Sequence, residues 1–221
     1  MAKSTKAAPA HSPNLGRPVG ANSDETRQRI LEAAMRCVAD VGYSRATIRE
    51  IAREAQMTSG SLYHYFPNKA ELVRATFDEV ATIAVPRLVF AVEQNTSALD
   101  KLMAVLDESM RLMREYPLAV AFDRAIRAES PQRLNLPADS DKMFVAFRNL
   151  IQQIIEQAAG EKALGPGIDI EAAVSAVFMI FRGLNDYAGS APPADEYHAT
   201  VDGLKALLRG QLFDYSKLTR R

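Results

Sequence analysis

Apolar positions recur along this chain at three- and four-residue intervals, and no stretch alternates strictly as a half-buried strand does. Ile30, Leu31, Ala34, Val38 and Val41 form the first stripe. Ser23 is placed to cap it, Asp24 and Glu25 suit the positive end of a helix, and Gly42 provides a stop. Thr47-Ile48-Arg49-Glu50 then reads as a capping box, in which the hydroxyl and the carboxylate each satisfy a free backbone donor. It opens a short helix with Ile48, Ile51, Ala52 and Ala55 on one face. A few residues later Thr58 caps another, with Leu62 and Phe66 inward and Pro67 closing it. Asn68 caps a fourth helix, predicted through Phe77 toward Val85, with Pro86 as a kink or stop.

Beyond this, the pattern predicts helices near Ala98–Tyr116, Leu118–Glu129, Ser140–Ala159, Asp169–Gly189 and Ala194–Tyr215. Breaks fall at Tyr116-Pro117, Ser130–Pro137, Gly160–Gly167 and Ser190–Pro193. The expected fold class is all-α. Residues 1–22, rich in Ala, Pro, Ser and Gly and carrying Lys3, Lys6 and Arg17, read as a disordered basic tail. Residues 23–68 read as a three-helix unit ending in a helix-turn-helix, and 69–221 as a larger helical body.

Two short helices joined by a tight turn suit one task in particular. The first braces a DNA backbone while the second enters the major groove. Thr58, Ser59, Ser61, Tyr63 and His64 fall on the face of the second helix opposite Leu62 and Phe66. Small hydroxyls permit close approach to base edges, and a phenol can donate to a phosphate. Lys69, opening the next helix, offers a charge and free backbone N–H groups to another phosphate. Arg45, in the loop before the first short helix, joins this set; Arg49 and Arg53 read either as a solvated face or as phosphate contacts.

The runs Thr47-Ile48-Arg49-Glu50-Ile51-Ala52-Arg53-Glu54-Ala55 and Thr58-Ser59-Gly60-Ser61-Leu62-Tyr63-His64-Tyr65-Phe66-Pro67-Asn68-Lys69-Ala70-Glu71-Leu72 resemble the DNA-binding domain of tetracycline-repressor (TetR/AcrR) family regulators. The resemblance spans roughly Thr26 to Phe77. It implies that Thr47 caps its helix and touches phosphate. It also implies that Thr58, Ser59, Ser61 and His64 face bases or phosphates, that Tyr63 and Lys69 clamp phosphates, and that Gly60 permits close helix approach. One position departs from the family pattern: Gln56 stands in the turn where glycine is usual.

The same resemblance implies that the last two long helices pair with their copies in a homodimer, and that the body senses a small molecule. The helix from Ile170, apolar around much of its circumference, must be covered on more than one side. Met103, Met110, Met113, Phe122, Phe144, Phe147, Ile151, Phe178 and Met179 suit either an ordinary core or a pocket for a flexible apolar ligand. Arg182 and Asn185 are candidate polar anchors for that ligand, or structural hydrogen-bonding groups.

Composition refines this picture modestly. The 221 residues are 48% hydrophobic and 24% charged with no net charge. Residues 1–75 nevertheless carry a surplus of four positive charges, which the remainder cancels. A basic reading end on an acidic body fits a nucleic-acid partner. Cys37 is the single cysteine, so no disulfide framework forms within one chain. His11, His64 and His198 lie in unlike elements, and no phosphate loop, His-Glu-x-x-His or nucleophile elbow occurs. The expectation is therefore a non-enzymatic cytoplasmic regulator without metal, cofactor or membrane span. Its partners would be operator DNA and a small effector; the alternative is a ligand-independent DNA-binding or architectural protein.

Overall fold

The structure, a computed structural model, describes residues 19–129, 142–190 and 192–214. Most of the expected tail, the break at 130–137 and the end of the last predicted helix lie outside these residues. Nine helices run through the described chain: α1 Val19–Val41, α2 Ile48–Glu54, α3 Ser59–Tyr65, α4 Lys69–Glu93, α5 Ala98–Glu115, α6 Pro117–Arg127, α7 Lys142–Gly160, α8 Ile170–Gly189 and α9 Ala194–Leu208. No strand occurs among the described residues, and no helix there is long and apolar enough to cross a membrane.

Local chemistry sets most boundaries. Thr47 closes the capping box with Glu50, while Thr58, Asn68, Ser97 and Asp169 each accept a hydrogen bond from the backbone N–H three residues on. Pro117 sits in the first turn of α6, where its missing N–H costs nothing. Three boundaries differ from expectation. Helix α1 begins at Val19, ahead of Ser23, so Ser23 lies within the helix rather than capping it. Helix α4 passes through Pro86 to Glu93. A mid-helix proline costs about 3 kcal/mol, but Ala84 and Leu88 on either side are buried against the body, and Pro86 itself is on the exposed flank. Solvent can therefore reach the carbonyl left unpaired. Helix α9 stops at Leu208 because Gly210 turns left-handed at φ 67° and Gln211 N–H returns to the Ala206 carbonyl at 2.8 Å.

The buried apolar side chains form three clusters. Ile30, Leu31, Ala34, Ile51, Ala52, Leu62, Phe66 and Leu72 bind α1–α3 to the start of α4. A junction cluster joins Val38, Tyr43 and Ala46 to Val73 and Phe77 of α4 and to Phe122 and Ile126 of α6. The body cluster unites α4, α5, α7, α8 and α9 around Leu106, Ile151, Ile154, Val174 and Phe181. Helix α4 contributes to all three clusters. It runs from the three-helix head into the body as one continuous helix.

Candidate nucleic-acid interface

The α2–turn–α3 unit is built from its ends inward. Glu50 N–H donates to Thr47 Oγ1 at 3.2 Å, and Thr47 N–H to Glu50 Oε2 at 3.0 Å. The Thr47 hydroxyl also donates to that carboxylate, and these bonds hold the Glu50 carboxyl below its usual range. Helix α2 is capped at its C-terminus by Ala55. There Met57 N–H reaches the Ala52 carbonyl at 2.9 Å, which forces Gln56 into the left-handed region at φ 57°. The turn thus has the backbone a glycine would adopt, with a glutamine in it.

Helix α3 has one buried face and one open face. Leu62 is fully buried and Phe66 nearly so, whereas Tyr63 is 52% exposed and His64, Ser61 and Gly60 are also exposed. Ser59 is half-buried and Thr58 exposed. Thr58 Oγ1 accepts from Ser61 N–H at 3.1 Å and lies 2.9 Å from Ser61 Oγ, so these two hydroxyls form the cap as well as facing outward. A Cβ added at Gly60 would meet nothing nearer than Thr58 Oγ1 at 3.8 Å. The protein itself therefore does not require glycine there; the space it leaves is on the outer surface.

The basic residues divide. Arg45, exposed, donates from Nε to the Val41 carbonyl at 2.7 Å, and Arg49 and Arg53 are exposed on α2. Lys69 is half-buried and turns toward the loop before α2. Its Nζ donates to the Tyr43 carbonyl at 2.7 Å and the Ala46 carbonyl at 2.9 Å, and lies 4.1 Å from the Tyr43 ring centroid. Burial lowers its pKa, partly offset by the Glu129 carboxylate. The same loop is held from the body side, where Ser44 N–H donates to Glu129 Oε1 at 2.9 Å just beyond α6. Tyr43, Ala46 and Glu129 escaped the reading of the sequence because their partners lie 23 to 85 residues away. No local pattern marks them.

The expected ligand residues do not converge on one cavity. Met103 and Ile151 are buried in the body core, with Met110 and Phe147 packed against it. Phe122 belongs instead to the junction, its ring centroid 5.0 Å from that of Phe77. Phe144, Phe147, Phe178 and Phe181 form a tilted and edge-to-face aromatic cluster between α7 and α8, with Arg182 over the Phe144 ring at 5.6 Å. Asn185 donates to Asp123 on α6 at 2.6 Å, and Met113 accepts from the Tyr197 hydroxyl. Met179 is 65% exposed on α8, facing out of the body. An open groove of about 640 Å³ between α4 and α5 takes in Met103, together with Phe90, Arg87 and Glu108. Among the described residues no group of three His, Cys, Asp or Glu could hold a metal ion.

A three-helix head whose last helix exposes hydroxyls, a phenol and an imidazole, carried on a helical body, defines a helix-turn-helix DNA-binding regulator. Comparison with known proteins narrows this. Residues 30–76 match the model for bacterial regulatory proteins of the tetR family. The fatty acid metabolism regulator protein of Bacillus subtilis is 22% identical over 151 residues, covering 68% of this chain and 76% of that protein. The transcriptional repressor KstR2 of Mycobacterium tuberculosis is 26% identical over 170 residues, 76% of this chain and 80% of the repressor. The fold superimposes on FadR from Bacillus subtilis, solved in complex with stearoyl-CoA, with a TM-score of 0.70 at 19% identity over 84% of this chain and 99% of that one. The three-helix head thus matches the tetR family, and the chain as a whole shares the fold of these regulators.

Proposed function

We propose that this regulator is a repressor that binds a palindromic operator as a homodimer and is released by an amphipathic effector. The observation that carries the reading is the two-sided α3: Leu62 and Phe66 buried, Tyr63 and His64 standing out of the same short helix. In this reading Tyr63 and Thr47 bind phosphate, with Arg45 beside them. Ser59, Ser61 and His64 meet base edges, and Gly60 lets the helix lie close.

Pairing through α8 and α9 brings two heads onto successive major grooves, about 34–36 Å apart. Ala172, Ala176, Met179 and Gly183 are exposed at helical spacing along α8, and Leu207 is 41% exposed on α9. This stripe of small residues and one methionine suits close packing against a second helix. The stearoyl-CoA held by the Bacillus FadR supports a long acyl thioester as the effector class. Such a ligand would part the Phe144–Phe178 cluster and the Met103–Ile151 core, and shift α4, which reaches from that core to the head. It can do so only by binding the non-DNA-binding arrangement more tightly.

The test begins with selection of duplex DNA from a random pool, followed by titration of stearoyl-CoA and free stearate against the selected complex. A symmetric site released by the thioester bears out the reading. Failure to enrich any duplex would refute the DNA assignment; an operator complex indifferent to both lipids would refute the effector class.

A further inference from the structure

Lys69 lies at the place where the reading unit returns to the body. The chain leaves the junction at Tyr43–Ala46, makes α2, the turn and α3, and comes back at Lys69. The ammonium then bonds the carbonyls of Tyr43 and Ala46 across separations of 26 and 23 residues. Ala46 immediately precedes Thr47, the cap of α2, and Tyr43 is buried among Val73, Phe77, Phe122 and Ile126. One side chain therefore joins the entry of the two-helix reader to its exit, and fixes both to the junction core.

We propose that Lys69 is a positioning residue that sets the aim of α2 and α3 as a clasp. Two of its three N–H groups are spent on carbonyls, and the charge rests against an aromatic face. Only the third N–H is left to meet a phosphate in place; swinging the whole ammonium outward breaks both bonds and leaves two carbonyls at the edge of the core unsatisfied. The two roles differ in what they do to salt dependence. A lysine on a phosphate contributes about 0.9 to the slope of log affinity against log salt, whereas a clasp contributes nothing to it. A clasp acts on aim, so its loss weakens specific binding and leaves the electrostatic, non-specific component in place.

The inference rests on the reading of α3 as the groove helix. The experiment compares the full-length parent with Lys69→Met, which keeps the apolar stem and removes the donors. Affinities for the selected operator and for unrelated duplex are measured across a salt series. The clasp predicts a loss of roughly ten-fold on the operator, little change on unrelated duplex and an unchanged slope. A slope shallower by about one unit, with equal loss on both duplexes, overturns it in favour of the clamp. Unchanged operator affinity overturns both roles. If Lys69→Met does not fold, NMR of the lysine ammonium groups in the parent decides. A slowly exchanging Lys69 signal that operator leaves in place supports the clasp, and one that appears only with DNA overturns it. A parent that binds no duplex defeats the groove reading itself, which the variant comparison leaves distinct.

Discussion

Gln56 offers the sharpest test of how the turn is built. Its φ of 57° follows from the bond between Met57 N–H and the Ala52 carbonyl, and its own N–H donates to the Arg53 carbonyl at 3.1 Å. Both are backbone bonds that any residue can make. The exposed side chain caps nothing, so Gln56→Gly keeps the geometry and removes only the Cβ. An L-residue in the left-handed region carries about 1–2 kcal/mol of strain. Glycine gives back about 0.4–1 kcal/mol through the larger freedom of its unfolded chain. The balance is a stabilisation of about 0.5–1 kcal/mol. In a chain this long that is a melting shift of only about 1–4 °C, so denaturant midpoints at fixed protein concentration are the better assay. Glycine should rank first, asparagine next, glutamine and alanine together, and valine last. Operator affinity should be unchanged, because the backbone already has the glycine conformation. A glycine variant no more stable than alanine would refute the account of the turn as strained.

Further outcomes follow from the same geometry. Gly60→Ala should fold at least as stably as the parent, since no atom lies within 3.8 Å of the new Cβ and alanine is the better helix former by about 1 kcal/mol; gel shifts should nevertheless show weaker operator binding, and full retention would mean α3 does not approach DNA at that point. Phe122→Ala removes a fully buried ring at the junction and should cost about 3–5 kcal/mol in chemical denaturation, whereas a surface-like loss under 1 kcal/mol would contradict the packing. Glu50→Gln tests the α2 cap by pH. The Glu50 carboxyl is held below its ordinary value of 4.5, so its stabilisation is complete above that pH and disappears as pH falls through the lowered value; parent and variant should differ near neutrality and converge in acid, and parallel stability curves would rule the cap out. Tyr63→Ala should leave the melting curve within about 0.5 kcal/mol and weaken binding to all duplexes.

The fold class and the reading head were legible because their determinants are local. A capping box, an Asx or hydroxyl cap, and apolar residues three or four apart all act within one turn of helix. Thr47, Thr58 and Asn68 were therefore found where they act. Proline misled at Pro86, since local propensity argues for a break while burial of Ala84 and Leu88 carries the helix through. The candidate ligand set was the least legible part. Hydrophobic patterning cannot say which core an apolar residue joins, and it grouped Phe122 with Phe144 and Phe178 although it packs at the junction.

Sequence by itself determined the all-helical class, the caps of α2, α3 and α4, and the outward placing of Ser61, Tyr63 and His64 on α3, all through contacts between near neighbours in the chain. Tertiary structure alone decided that the Lys69 ammonium turns back onto Tyr43 and Ala46, that Glu129 holds the loop from α6, and that Asn185 spends its amide on Asp123. The physical reason is range. A long polar side chain takes whichever acceptors the packed fold brings within 3 Å, and those acceptors come from elements that the order of residues does not place side by side.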